Sequence, residues 1–279
     1  MSWKKSNLPA AMLAAGIASL SFMHAALADP TLDRIKQRHK IAVGIGLTGE
    51  AFGTLDPATQ EPIGYQVDLA RDLARRLGVD LDIVPVATPN RIQFLQSGKV
   101  DLLMSSLVWT EERSRLLGLV PTPYYHTGGV ALTRKDSGIH ELEDLRGKPV
   151  CMSQGSSFAR PLTVDYGIVV KGYRTIAESV LALRGGTCVA AVHASSALSP
   201  QLSGKDPAWS DYHAPITQID PSAWVAAARR EDSDTIAAVD AVIQEWHRNG
   251  FLIATEAKYH IEPKAQALVE LHDKYSRAR

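Results

Sequence analysis

Along the first part of the chain the apolar positions change period repeatedly. Ile41 to Ile45 is a β-rich run, and Gly44, Gly46 and Gly49 open the loop that follows. From Val67 the spacing becomes helical through Ala70, Leu73, Ala74 and Leu77, with Gly78 as the stop signal. Leu81 to Val86 reads as the next strand, Asn90 as a cap for a short helix from Arg91 to Ser97, and Leu102 to Met104 as the start of a third strand. Thr110 caps a helix that begins with Glu111 and Glu112, where orphan amide hydrogens favour negative charge. Strand and helix alternating at these intervals predict a parallel sheet covered by helices.

After Pro121-Thr-Pro-Tyr-Tyr125 the pattern restarts. Val130 to Thr133 predicts a strand, Leu142 and Leu145 a helical turn closed by Gly147, and Val150 to Ser153 a strand entering the loop Gln154-Gly-Ser-Ser157. Ile176, Val180 and Leu183 share a helical face that stops at Gly185 and Gly186, and Val189 to Val192 reads as a buried strand. Ser199 to Pro221, rich in Ser, Pro, Asp and Gly, is predicted to be an irregular connection. Ile236, Val239, Val242 or Ile243, and Trp246 make one apolar face of a helix that starts at Asp232 or Ser233. The fold class is therefore α/β, two units in tandem with a terminal helical stretch. Periodicity does not show which unit those last helices cover.

The N-terminus changes this picture. Lys4 and Lys5 precede an uncharged apolar stretch from about Leu8 to Met23, and Ala26-Leu27-Ala28 follows, the order of a cleavable export signal spanning residues 1–28. Gly16, Ser19, Ser21 and His24 interrupt a stretch already short for a ~30 Å hydrocarbon core, which argues against an anchor. Cleavage would remove two lysines and no acid from a chain of zero formal charge, leaving a balance of −2. That balance offers no electrostatic reason to expect nucleic acid or an anionic membrane as partner. In an oxidising compartment the two cysteines, Cys151 and Cys188, read as a disulfide. Scattered histidines without metal-ligand spacing suggest no metal, and no cofactor is expected.

Two segments carry candidate chemistry. Met104-Ser-Ser-Leu-Val-Trp-Thr-Glu-Glu-Arg113 sets polar residues and an arginine just beyond the carboxyl end of a predicted strand, where open α/β sheets bind ligands. An arginine there holds a carboxylate through two parallel hydrogen bonds. Gln154-Gly-Ser-Ser157 occupies the equivalent place in the second unit, with backbone amides and hydroxyls suited to an anion.

With these segments in order, and with Gly64-Tyr-Gln-Val-Asp-Leu-Ala70, Pro89-Asn-Arg-Ile92, Leu95-Gln-Ser-Gly-Lys-Val-Asp101, Pro123-Tyr-Tyr125, Lys135-Asp-Ser-Gly138 and Leu145-Arg-Gly-Lys-Pro-Val150, residues 38–260 strongly resemble the extracellular solute-binding proteins of polar amino-acid ABC transporters. The resemblance implies a type II periplasmic-binding-protein fold, two α/β lobes joined by two crossover segments. Residues 29–127 with 219–279 would form the first lobe and 128–218 the second. A small carboxylate-containing ligand would sit in the interlobe cleft of a periplasmic monomer and pass to a membrane permease. Phe52 matches the aromatic that packs on the ligand, Ser106 a contact to the ligand amine, Val108 a backbone amide and Arg113 the grip on the α-carboxylate. Ser157, with Ser156 beside it, matches the second-lobe part of the carboxylate site, and Tyr125 lies at the first crossing. Trp109 falls at a variable position, equally suited to lobe packing and ligand contact. Cys151 and Cys188 would begin adjacent strands of the second lobe and pair there.

One departure bears on the ligand. The family aspartate that pairs with the ligand ammonium falls on Ala194 in Val189-Ala-Ala-Val-His-Ala-Ser195. Either the ligand lacks an α-ammonium, the favoured outcome, or another carboxylate serves, with Glu50 the candidate. Alternative functions are an enzyme resembling cyclohexadienyl dehydratase, with His126 or His193 as its acid or base, and a ligand sensor for a membrane receptor. Binding without chemistry is the leading expectation.

Overall fold

The computed structural model describes Met1 and residues 30–47, 51–261 and 264–277. The expected export signal, Met1 apart, and Glu50 lie outside the described residues.

The first half opens with α1 (Pro30–Gln37) and β1 (Lys40–Ile45), followed by the small hairpin β2 (Thr54–Leu55) and β3 (Pro62–Ile63). Helix α2 (Tyr65–Leu77), β4 (Asp80–Pro85), α3 (Arg91–Gln96), β5 (Leu102–Leu103), α4 (Glu111–Leu116) and β6 (Gly118–Leu119) follow. The second half comprises β7 (Tyr125–Arg134), β8 (Pro149–Ser153), α5 (Ala159–Tyr166), β9 (Val169–Tyr173), α6 (Ile176–Arg184), β10 (Ala190–Ala194), α7 (Ser199–Leu202) and β11 (Tyr212–Trp224). The chain ends with β12 (Ala227–Ala228), α8 (Ser233–Arg248), α9 (Phe251–Lys258) and α10 (Gln266–Arg277).

Two five-stranded mixed sheets result, ordered β4-β1-β5-β12-β6 and β11-β7-β10-β8-β9. Strand β1 pairs in parallel with β4 and β5, and β12 closes the first sheet antiparallel to β5 and β6. In the second sheet β10 and β9 run parallel to β8, while β7 runs antiparallel to β10 and β11. This is the two-lobed, type II binding-protein architecture. The last helices join the core of the first sheet, where Val239, Ile243 and Trp246 of α8 pack with Ile41, Val43 and Leu73. Trp246 Nε1–H also donates to Asp72 of α2 at 2.6 Å.

The stretch predicted as irregular differs most from expectation. Within Ser199–Pro221, α7 forms and residues from Tyr212 join a 13-residue strand. Pro215 and Pro221 obscured it, because a proline that cannot donate to a ladder argues against a central strand. But β11 lies at the sheet edge, and its register against β7 shifts three times between His213 and Ser222, so the prolines fall where pairing is already interrupted. A second, smaller difference is Asn90. Its side chain accepts from Ala87 N–H at 2.9 Å and so closes the preceding turn, without capping α3.

Cys151 of β8 and Cys188, two residues before β10, form a disulfide across parallel neighbouring strands. The cysteines are 37 residues apart in sequence. Closing a loop of that length stabilises the fold by about 3 to 4 kcal/mol. Paired replacement of Cys151 and Cys188 by alanine should lower the chemical-denaturation stability by that order, and thiol titration of the denatured wild type should find no free cysteine.

Candidate functional site

The loops beyond the carboxyl ends of β1, β4 and β5 face those beyond β8, β9 and β10 across a cavity of about 150 Å³. Phe52 reaches it because the β1–α2 loop folds back on α2: Tyr65 and Gln66 donate their amides to the carbonyls of Ala51 and Phe52 at 2.9 and 3.0 Å. Gly64, at φ +132°, permits this approach, since a Cβ there would stand 2.7 Å from Gly53 N and Phe52 C. Phe52 then packs edge-on against Tyr65, Tyr125 and Trp224, with ring centroids 4.9 to 5.6 Å apart. Tyr125 is in this layer and is not among the cavity-lining residues; its hydroxyl donates to buried Glu256 at 2.9 Å.

Ser106 lines the cavity in a left-handed backbone conformation, φ +55°. Such a position in a non-glycine residue persists only when its surroundings over-determine it. The Tyr124 hydroxyl accepts from Ser106 N–H at 3.0 Å, and the Gln66 amide meets Ser106 Oγ at 2.8 Å. The Gln66 orientation that pairs all its atoms turns the amide oxygen toward Ser106 and lets the nitrogen donate to the Met104 carbonyl at 3.2 Å. Val108 also lines the cavity and bridges Trp224.

Arg113 is fixed by its own helix start, its amide donating to Thr110 Oγ1 at 3.2 Å. The residue is buried and is not among the cavity-lining residues; its guanidinium donates to the Val108 carbonyl at 2.7 Å and to the Gly155 carbonyl of the facing loop at 3.1 Å. A second buried guanidinium, Arg91, does line the cavity. Its Nη1 donates to the Ser105 and Ser106 carbonyls, and its Nε has no partner. Burial, then repulsion from Arg113, lowers the Arg91 pKa to about 9, so it remains charged at neutral pH. Burial likewise lowers the pKa of Arg113, with Glu112 opposing it more weakly. Among the described residues neither guanidinium has a carboxylate partner, and no acidic side chain lines the cavity.

From the second sheet, Ser153, Ser156 and Ser157 line the opposite wall with His193 and Ala194. His193 is buried, with Ser179 Oγ 2.8 Å from its Nε2, and desolvation lowers its pKa to about 4. His126 and Trp109 are not among the lining residues; the Trp109 side chain is half exposed. Arg91, Gln66, Tyr124 and Ser179 carried no assigned role in the sequence reading. Arg91 had a signal, a cation after a strand end, but its burial was not legible.

Residues 41–262 match the family model of bacterial extracellular solute-binding proteins, family 3, and the chain belongs to that family. It is 30% identical over 161 residues to the glutamine-binding protein of Geobacillus stearothermophilus, a match spanning 56% of this chain and 61% of that one. It is 26% identical over 200 residues to the arginine-binding extracellular protein ArtP of Bacillus subtilis (strain 168), spanning 71% and 77%. Among solved structures, a mutant of ArgBP from T. maritima superposes with a TM-score of 0.75 at 29% identity, over 83% of this chain and all of that one. These relatives are binding proteins.

An imidazole buried as His193 is resists protonation. Its folded pKa lies below the unfolded value near 6.5, so between about pH 6.5 and 4 the unfolded state binds more protons and stability falls as pH falls. In a histidine-labelled sample its ring signals should titrate near pH 4 and stay those of a neutral ring at pH 7. His193→Gln should lose less stability than wild type on going from pH 7 to pH 4.5.

Proposed function

We propose that the chain is exported by residues 1–28 to the periplasm and there binds a small carboxylate-containing solute between two lobes, 29–127 with 219–279 and 128–218, for delivery to an ABC permease. The observation that carries this reading is the pair of buried guanidiniums, Arg91 and Arg113, at a cleft whose described lining holds no acid. Buried charge without a counter-charge is costly, and a ligand carboxylate removes that cost. The family resemblance supports the permease as partner.

In this reading Arg113 and Ser157 hold the carboxylate, with Ser156 next to Ser157. Phe52 packs on the ligand, Ser106 and Val108 offer polar contacts, His193 lies at the second wall, and Tyr125 supports Phe52 from the crossing. Ala194 lines the cleft where the resembling proteins have an ammonium-binding aspartate, which favours a ligand without an α-ammonium.

Mass spectrometry of small molecules released by denaturing protein purified from its native host should find a carboxylate, and a set of released molecules free of carboxylates would refute the reading. With the released compound as titrant, Arg113→Lys should lose about 1.5 to 3 kcal/mol of binding free energy, because the planar fork is lost while the charge is kept. Calorimetry on Ala194→Asp should show the opposite selectivity to wild type, weaker binding of des-amino acids and measurable binding of the matching L-amino acids.

A further inference from the structure

We infer that Ser179 is a positioning residue that holds His193 in the Nδ1–H tautomer, so that the cleft presents a hydrogen-bond donor and selects a 2-oxo acid over the corresponding amino acid. The inference rests on the reading above that the cleft binds a small carboxylate, and it names the class of that ligand.

Ser179 sits on α6 with no exposed surface, and its Oγ lies 2.8 Å from His193 Nε2. Among the described residues that is the hydroxyl's single hydrogen-bond partner. A neutral imidazole carries one N–H, leaving two arrangements. If the proton were on Nε2, the ring would donate to Ser179 Oγ and the serine hydrogen would be stranded in the interior, a state folded proteins avoid. If Ser179 donates to the Nε2 lone pair, both groups are satisfied and the proton resides on Nδ1. No described residue bonds the rest of the ring, and His193 lines the cavity.

The surroundings act in the same direction. The charged side chains that share the cavity with His193 are Arg91 and Arg174, both cationic. Strand β7 sets Val130 opposite His193, and Ala194 follows it in β10. A ligand ammonium would meet guanidinium groups and an imidazole N–H, with only hydroxyl, amide and carbonyl oxygens to accept from it. A ligand oxygen at the same place accepts from Nδ1–H without a charge to bury.

The test uses the oxidised mature chain. Nitrogen NMR of histidine-labelled protein at pH 7, with the His193 signals assigned by their loss in His193→Gln, reads the tautomer directly. Wild type should show Nδ1 protonated, Ser179→Ala a mixture, and Ser179→Thr the wild-type tautomer. Calorimetry with 2-oxoglutarate against L-glutamate, and pyruvate against L-alanine, should favour each oxo acid by about tenfold in wild type, the upper range for one neutral hydrogen bond. That preference should largely disappear in Ser179→Ala and return in Ser179→Thr. An Nε2-protonated ring in wild type, tighter binding of the amino acids, or full preference retained in Ser179→Ala would each overturn the proposal. If none of the four compounds binds, the selection of 2-oxo acids is overturned; if Ser179→Ala does not fold, the wild-type tautomer and the wild-type preference between each pair decide the proposal. Failure of the carboxylate reading is separately visible, as released molecules without a carboxylate from a protein whose ring is still Nδ1-protonated.

Discussion

Both sheets hang on one antiparallel ribbon. Strand β7 leaves the first sheet at Tyr125, β11 returns at Trp224, and these two residues are register partners. The loop after β5 is tied to the same ribbon, since Trp109 N–H donates to the Ala223 carbonyl and Val225 N–H to the Leu107 carbonyl, each at 2.9 Å. Ser106 and Val108 are therefore fixed relative to the crossing. The aromatic layer of Phe52, Tyr65, Tyr125 and Trp224 fills the space beneath, so the cleft floor and the crossing are built from the same side chains.

The second constraint on the cleft is electrostatic. Arg91 and Arg113 are held by backbone carbonyls, and carbonyl dipoles orient a guanidinium without neutralising it. Burial first, and then repulsion from Arg113, lowers the pKa of Arg91. An anion entering between the sheets relieves burial and repulsion together. The Arg113 contact to the Gly155 carbonyl already spans the cleft, so the arginine proposed to orient a carboxylate also joins the two walls.

Much of this was legible along the chain, and the remainder has physical reasons. Alternating strand and helix periods were readable because β1, β8 and β10 lie inside sheets and are mostly apolar. Strand β11 was not, because an edge strand with shifted pairing accepts Pro215 and Pro221, which read as loop. The site divided the same way. Arg113 and the Ser156-Ser157 loop follow predicted strand ends, a position that a local pattern reveals. The Ser179–His193 contact joins residues 14 apart on a helix and a strand, and the Gln66–Ser106 contact joins residues 40 apart. Their meeting depends on packing that no local period encodes. Ala194 lining the cleft was foreseen through the family resemblance alone.

Strand β12 has a consequence for the order of assembly. Its two alanines, Ala227 and Ala228, are fully buried and sit between β5 and β6, yet they follow the entire second sheet in the chain. A polypeptide emerging from its N-terminus can finish the second sheet while the first still lacks an inner strand. Until β12 arrives, the edge of β5 is open and α8 cannot cover the core it completes. Non-local pairings of this kind form slowly, and unpaired edges invite association with other chains. The most vulnerable period in the life of this molecule therefore falls between the emergence of Leu103 and that of Ala228, when the lobe begun first is waiting to be the lobe finished last.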